Sequence, residues 1–296
     1  MLRSGLILYG WLVFAGCDIP FPPPAPPPVE RTLPSDDELV AQRPYRVIRP
    51  SDFDGGAPLP LLLGLHAYDS TGLGLDTRYD LTRLGELRGF LLVTPDALQE
   101  AGGTRTWHPK KETAYPFDRE YLRALLLDVK QKYPVDAARV FVFGNSQGAH
   151  MAYRVACDSA DLVAAVVSVA GQAPKAAADC AAVRAVSALE VHGTADTVIG
   201  YSGDLTEPID LSIPSAHDSV ATWARIDGCG ALTASPRTLD LSVEVDGAET
   251  TVETYAACPS GIGVELWTMN GVSHFPAPQP NFASLVYGFM AQHPRP

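Results

Sequence analysis

The chain is short of positive charge, of cysteine and of long apolar runs, and each shortage closes off a class of function. Its 22 Lys and Arg stand against 34 Asp and Glu, a formal net charge of −12. Such a surface repels phosphate, so no nucleic-acid partner is expected. Past the N-terminus no apolar run reaches the roughly 18 residues a bilayer span requires. No internal repeat of solenoid or propeller period recurs along the 296 residues. The five cysteines form no Cys-x-x-Cys, and no paired histidines have ligand spacing, so neither a metal site nor a cofactor is expected. What is present, 46% hydrophobic and 19% charged residues, suits one large globular domain after a short leader.

The leader is legible residue by residue. Met1-Leu2-Arg3-Ser4 carries one positive charge, Gly5 to Phe14 is a short apolar core, and Ala15-Gly16 puts small residues before Cys17. This resembles a bacterial lipoprotein signal, in which cleavage leaves Cys17 as a lipidated first residue. Phe14 stands where leucine is usual, so an ordinary secretory signal is the alternative. Pro20 to Pro28 is nearly all proline, a stiff extended spacer. The expected organisation is a signal peptide over 1–16, a Pro-rich tether over 17–43 and a folded domain over 44–296. The address is extracytoplasmic, either anchored to a membrane through Cys17 or secreted. Setting Cys17 aside leaves Cys157, Cys180, Cys229 and Cys258, an even number in a compartment that permits disulfides. Of three pairings the sequential one, Cys157–Cys180 and Cys229–Cys258, is favoured. Its second bridge closes a segment whose Asp246-Gly247 reads as a hairpin turn.

Strand and helix patterns alternate along the domain. Tyr45–Arg49, Leu59–Leu65, Phe90–Thr94, Val163–Val169, Ala188–Val191 and Val264–Thr268 read as strands. Leu75–Arg88, Phe117–Lys132, Ser219–Asp227 and a segment from about Asn281 read as helices. That alternation predicts a mostly parallel sheet with helices on both faces.

One junction carries chemistry. Arg139-Val140-Phe141-Val142-Phe143 is a buried-strand run, Gly144-Asn145-Ser146-Gln147-Gly148 follows, and a small-residue helical pattern comes next. Strand, Gly-x-Ser-x-Gly and helix in that order form a nucleophile elbow, which exposes a serine on a strained turn at a helix N-terminus. An activated serine needs a base and an orienting acid, and after such an elbow they follow in the order acid, then histidine. Leu189 to Val191 leads into His192-Gly193-Thr194-Ala195-Asp196, a strand and a turn ending in an acid. Asn270-Gly271-Val272-Ser273-His274 is a loop carrying histidine. The expected set is therefore Ser146 as nucleophile, His274 as base and Asp196 as orienting acid. Against these stand blander roles, Asp196 as a turn former and His274 as a polar loop residue. His192, inside the strand-end run, reads as a brace for the acid loop. The remaining histidines, His66, His108, His150, His217 and His293, have no supporting context as the base. An oxyanion hole would take one N–H from Gln147 and another from the loop His66-Ala67-Tyr68, with Tyr68 preferred and Ala67 the fallback.

Longer stretches add a resemblance over roughly Pro44 to the end. Leu65-His66-Ala67-Tyr68, Gly89-Phe90-Leu91-Leu92-Val93-Thr94-Pro95-Asp96-Ala97 and Tyr133-Pro134-Val135-Asp136-Ala137-Ala138-Arg139-Val140 are part of it. So are Met151-Ala152-Tyr153-Arg154-Val155-Ala156-Cys157, His192-Gly193-Thr194-Ala195-Asp196 and Trp223-Ala224-Arg225-Ile226-Asp227-Gly228-Cys229. Together they resemble the extracellular poly(3-hydroxybutyrate) depolymerase and feruloyl esterase group of α/β-hydrolases. The resemblance implies an α/β-hydrolase fold and the Ser146, Asp196, His274 triad, and it agrees with the sequential cysteine pairing. It also implies a carboxylic-ester hydrolase working through an acyl-enzyme on polyhydroxyalkanoate or on feruloyl and acetyl polysaccharide esters. Two departures stand out: Ala67 replaces the family's usual glycine, and Gly271-Val272-Ser273-His274-Phe275-Pro276 replaces its Gly-Gly-His-Thr-Trp-Pro-like text. Trp107, with Tyr68 and Phe275, would form an aromatic substrate wall; the competing expectation is that Trp107 caps the core beneath a long loop. A serine peptidase of the same fold and a non-catalytic binding lipoprotein are the alternatives.

Overall fold

The computed structural model describes residues 33–109, 117–175, 180, 182, 184–203 and 213–295. The expected signal segment 1–16, the lipidation site Cys17 and the proline run lie outside the described residues.

The apolar runs become strands of one sheet. In chain order these are β1 (Val47–Ile48), β2 (Leu59–Leu65), β3 (Leu91–Val93), β4 (Val135–Asn145), β5 (Ala165–Val169), β6 (Ser187–Gly193), β7 (Leu232–Leu239), β8 (Thr250–Tyr255) and β9 (Val264–Met269). Their spatial order is β1-β3-β2-β4-β5-β6-β9-β8-β7. The central six pair in parallel, with Leu62 opposite Phe141, Val142 opposite Val166 and Val191 opposite Trp267. The flanking strands run antiparallel: β1 on β3, and the β7–β8 pair on β9. Val and Leu fill both faces of the central strands because helices cover each face. One face packs under α1 (Asp36–Gln42), α4 (Asp118–Lys132), α5 (Gln147–Asp158) and α6 (Ala216–Asp227). The other packs under α2 (Gly72–Tyr79), α3 (Leu81–Arg88) and α7 (Phe282–Gln292).

Three expectations are corrected here. The folded domain begins before residue 44. Ser35 caps α1 through a reciprocal bond with Glu38, Leu39 enters the core, and buried Arg43 pairs with Asp118 of α4 at 2.5 Å. The tether over 17–43 therefore loses its last part to the domain. The single helix over 75–88 is two, because Asp80 takes a left-handed conformation at φ 53° and ends α2 before α3 begins. Asp246-Gly247 lies in the connection between β7 and β8, but Leu239 and Thr250 are the paired residues that flank it. The two-residue hairpin is thus a ten-residue loop by the count from 240 to 249. The structure bonds Cys157 to Cys180 and Cys229 to Cys258. The first ties the end of α5 to the segment after β5, and the second joins the end of α6 to the end of β8.

Candidate active site

Four strands, β2, β4, β6 and β9, deliver their following loops to one edge of the parallel sheet, the carboxyl-end edge where such sheets build sites. At the end of β4 the chain reverses sharply into α5. Ser146 sits on that turn at φ 56°, ψ −121°, a conformation side chains rarely adopt. Glycine is obligatory on either side: a Cβ on Gly144 would lie 2.2 Å from the Gly148 carbonyl oxygen, and one on Gly148 would lie 2.1 Å from that of Leu65. The Ser146 N–H is tied to the Val169 carbonyl at 2.8 Å, which fixes the turn against β5.

The loops after β6 and β9 bring Asp196 and His274 to this serine. Ser146 Oγ lies 2.9 Å from His274 Nε2, and His274 Nδ1 lies 2.6 Å from Asp196 Oδ2. All three side chains are buried. An ionised carboxylate only accepts, so Nδ1 carries the hydrogen and Nε2 is free to accept the serine proton. The other oxygen of Asp196 receives the N–H groups of Val198 and Ile199, each at 2.8 Å. Burial alone would raise this carboxyl; hydrogen bonds from His192, His274 and the Ile199 N–H outweigh it and hold Asp196 well below the usual carboxylate range. The array is thus a buried carboxylate, an imidazole and a hydroxyl in sequence.

On the other side of Ser146, Gln147 is the first residue of α5, so its N–H has no partner within the helix. Its side chain is turned away: Oε1 accepts the Trp107 N–H at 2.9 Å and Nε2 donates to Thr106 Oγ1 at 2.5 Å. In the loop after β2, buried His66 receives the Ala97 N–H on Nε2 at 2.9 Å, which leaves its proton on Nδ1. That Nδ1–H donates to the Ala67 carbonyl at 2.7 Å, as does the Ser70 N–H at 3.2 Å. A trans peptide points its N–H opposite its C=O. Fastening the Ala67 carbonyl therefore turns the Tyr68 N–H the other way, out of the core. Burial holds His66 below the ordinary imidazole range and keeps it neutral.

The aromatic residues divide. Tyr68 is 59% exposed and Phe275 49%, and Phe275 meets His274 edge-on with ring centroids 4.3 Å apart. Trp107 is only 1% exposed, so the expectation that it walls a substrate site is corrected. Its indole lies beside the His66 ring and its Nε1 donates to the His66 carbonyl at 3.1 Å. It supports the β2 loop from beneath. Sequence reasoning missed Thr106 and Arg78; Arg78 donates to the Pro276 carbonyl at 2.6 Å and faces the Phe275 ring. Neither sits in a motif, and both reach the site across long sequence distances.

Several known proteins are similar to this chain. Residues 110–207 match the family described as Phospholipase/Carboxylesterase. Feruloyl esterase B of Piromyces equi is 26% identical over 76% of this chain and 41% of its own length. The chain therefore spans less than half of that relative. A putative esterase, NocK, of Nocardia uniformis subsp. tsuyamanensis is 27% identical over 92% of this chain and 88% of its own. The acetyl xylan esterase structure from Aspergillus awamori superposes with a TM-score of 0.59 at 15% identity, covering 84% of this chain and 93% of that one, a likeness of fold. The fold is that of the α/β-hydrolases, and the chain is similar in sequence to esterases. In this fold the elbow, the acid loop and the histidine loop sit at the ends of β4, β6 and β9.

Proposed function

We propose that this chain is an exported serine carboxylic-ester hydrolase that works through an acyl-enzyme formed on Ser146. His274 takes the serine proton as Oγ attacks the ester carbonyl and returns it to the leaving alcohol. Asp196 holds the imidazole in the required tautomer and stabilises the imidazolium. The N–H groups of Gln147 and Tyr68 receive the developing oxyanion, each worth about 2.7–4 kcal/mol in the transition state. Water then repeats the sequence in reverse to release the acid. The observation that carries this reading is the unbroken Ser146–His274–Asp196 chain at 2.9 and 2.6 Å.

The substrate class is an ester of an acetyl or feruloyl acid on a polysaccharide, supported by the feruloyl and acetyl xylan esterases among its relatives. Polyhydroxyalkanoate is the second class. Exposed Tyr68 and Phe275 would flank the acyl group at the mouth of the site. Export is supported by the leader sequence and by the two disulfides, which suit an oxidising compartment. Cys17 would carry the lipid, with the proline run as spacer. One panel tests the function: acetylated xylan, a feruloyl ester, hydroxybutyrate oligomers and a p-nitroanilide peptide. Release of acetate or ferulate with the anilide untouched is the expected result. Anilide cleavage would make the protein a peptidase, and no turnover of any would make it a binding protein.

A further inference from the structure

We propose that His192 is a positioning residue for the Ser146–His274–Asp196 array: a charged imidazole wedged between two buried carboxylates, holding Asp196 aimed at His274 and setting the pH range of the reaction. The proposal rests on the roles given above to those three residues.

Every residue of β6 is buried, and the strand nevertheless carries Glu190 and His192, two apart and so on one face. The turn after β6 folds Asp196 back over the same ring. His192 Nε2 lies 2.8 Å from the Ile199 carbonyl oxygen and 3.2 Å from Asp196 Oδ2. Its Nδ1 lies 3.1 Å from Glu190 Oε1. The other Glu190 oxygen is occupied by the Tyr153 hydroxyl, which donates at 3.0 Å. A carbonyl cannot donate, so Nε2 must carry hydrogen, and Nδ1 faces a carboxylate. An imidazole with acceptors at both edges satisfies both only when doubly protonated. Burial raises the Glu190 carboxyl above its ordinary range, opposed by the hydrogen bonds from His192 and Tyr153. Without the cation between them the two carboxylates would be buried and uncompensated, a costly state.

The surroundings agree. Glu190 faces His192 from its own strand, and Asp196 and the Tyr201 ring, 5.8 Å away, from the loop that follows. From α5 come His150 and, behind Glu190, Tyr153; from the loop after β9 comes His274, beyond Asp196. Burial alone would lower the imidazole, but hydrogen bonds with Asp196 and Glu190 outweigh it and raise His192 to about 9. The cation sits beside Asp196 as a second histidine partner to His274. It balances part of the carboxylate charge and keeps Asp196 placed against His274. In the intact protein the rate should fall as pH rises through about 9, where His192 loses its proton.

The test is p-nitrophenyl acetate hydrolysis across pH by the full chain and by His192→Gln, Glu190→Gln and Ser146→Ala. For His192→Gln the expected result is kcat lowered roughly 10- to 100-fold with KM little changed. Its alkaline fall should vanish. Glu190→Gln removes one of the two carboxylates that hold the proton, so its alkaline limb should move to lower pH; it decides the matter if His192→Gln does not fold. A folded His192→Gln with wild-type kcat and profile overturns the proposal, as does a lowered kcat with the alkaline fall still in place. If His192→Gln is unfolded, an unmoved alkaline limb in Glu190→Gln overturns it. Turnover by Ser146→Ala would instead overturn the nucleophile reading on which the proposal rests.

Discussion

The groups that directly fasten the Ala67 carbonyl and the start of α5, on the β2 side of Ser146, are neutral, whereas those around Asp196 on the β6 and β9 side are ionisable. On the first side a neutral His66, the Trp107 indole and the Gln147 amide fasten the Ala67 carbonyl and the start of α5. On the second, Glu190, His192 and Asp196 form a buried chain of ionisable groups that ends on His274. The two sides serve different ends. N–H donors for an oxyanion need fixed direction, and neutral hydrogen bonds supply direction at any working pH. A base needs a fitting proton affinity, which burial, hydrogen bonds and neighbouring charge set together. Mutations on the β2 side should therefore lower the rate without moving the pH profile, while those on the other side should do both.

The largest expected effect is on the charged side. Asp196→Asn keeps the shape but offers His274 the wrong tautomer, so kcat should fall about 10⁴-fold in esterase assays with the fold intact by circular dichroism. A fall of less than tenfold would break the comparison at its centre. His192→Gln comes next, with its lost alkaline fall. The smallest is on the neutral side. Trp107→Phe keeps a ring but removes the donor to the His66 carbonyl, and kcat should drop roughly tenfold with both limbs of the profile unmoved. A shifted limb in Trp107→Phe would show that the two sides are not separable.

Much of this was legible in the sequence, for identifiable reasons. The central strands stand out because both of their faces are buried, which leaves continuous apolar runs such as Leu61 to Leu65. Ser146, Asp196 and His274 stand out because strand–turn–helix and strand-end contexts flank them. A hairpin turn was legible at Asp246-Gly247, but its strand β7 was not: it reads Leu-Thr-Ala-Ser-Pro-Arg-Thr-Leu, a largely solvent-facing strand with a proline, tolerated only because it lies at the edge. Helix α1 was hidden by the proline-rich text before it, and it is short, with a single residue, Leu39, fully buried. Trp107 was ambiguous because a tryptophan lines a cleft or fills a core with the same letter, and only its burial decides. The charge on His192 was beyond sequence altogether, since it depends on the turn that folds Asp196 back over the ring.

The central claim is that Ser146 is the nucleophile of an esterase, and covalent trapping tests it most directly. The protein, inhibited with a fluorophosphonate, digested and analysed by mass spectrometry, should carry one adduct on the peptide containing Ser146. Its esterase activity should be lost in proportion to labelling, and Ser146→Ala should take up no label. Label at another serine, or full activity in protein labelled at Ser146, would contradict the account.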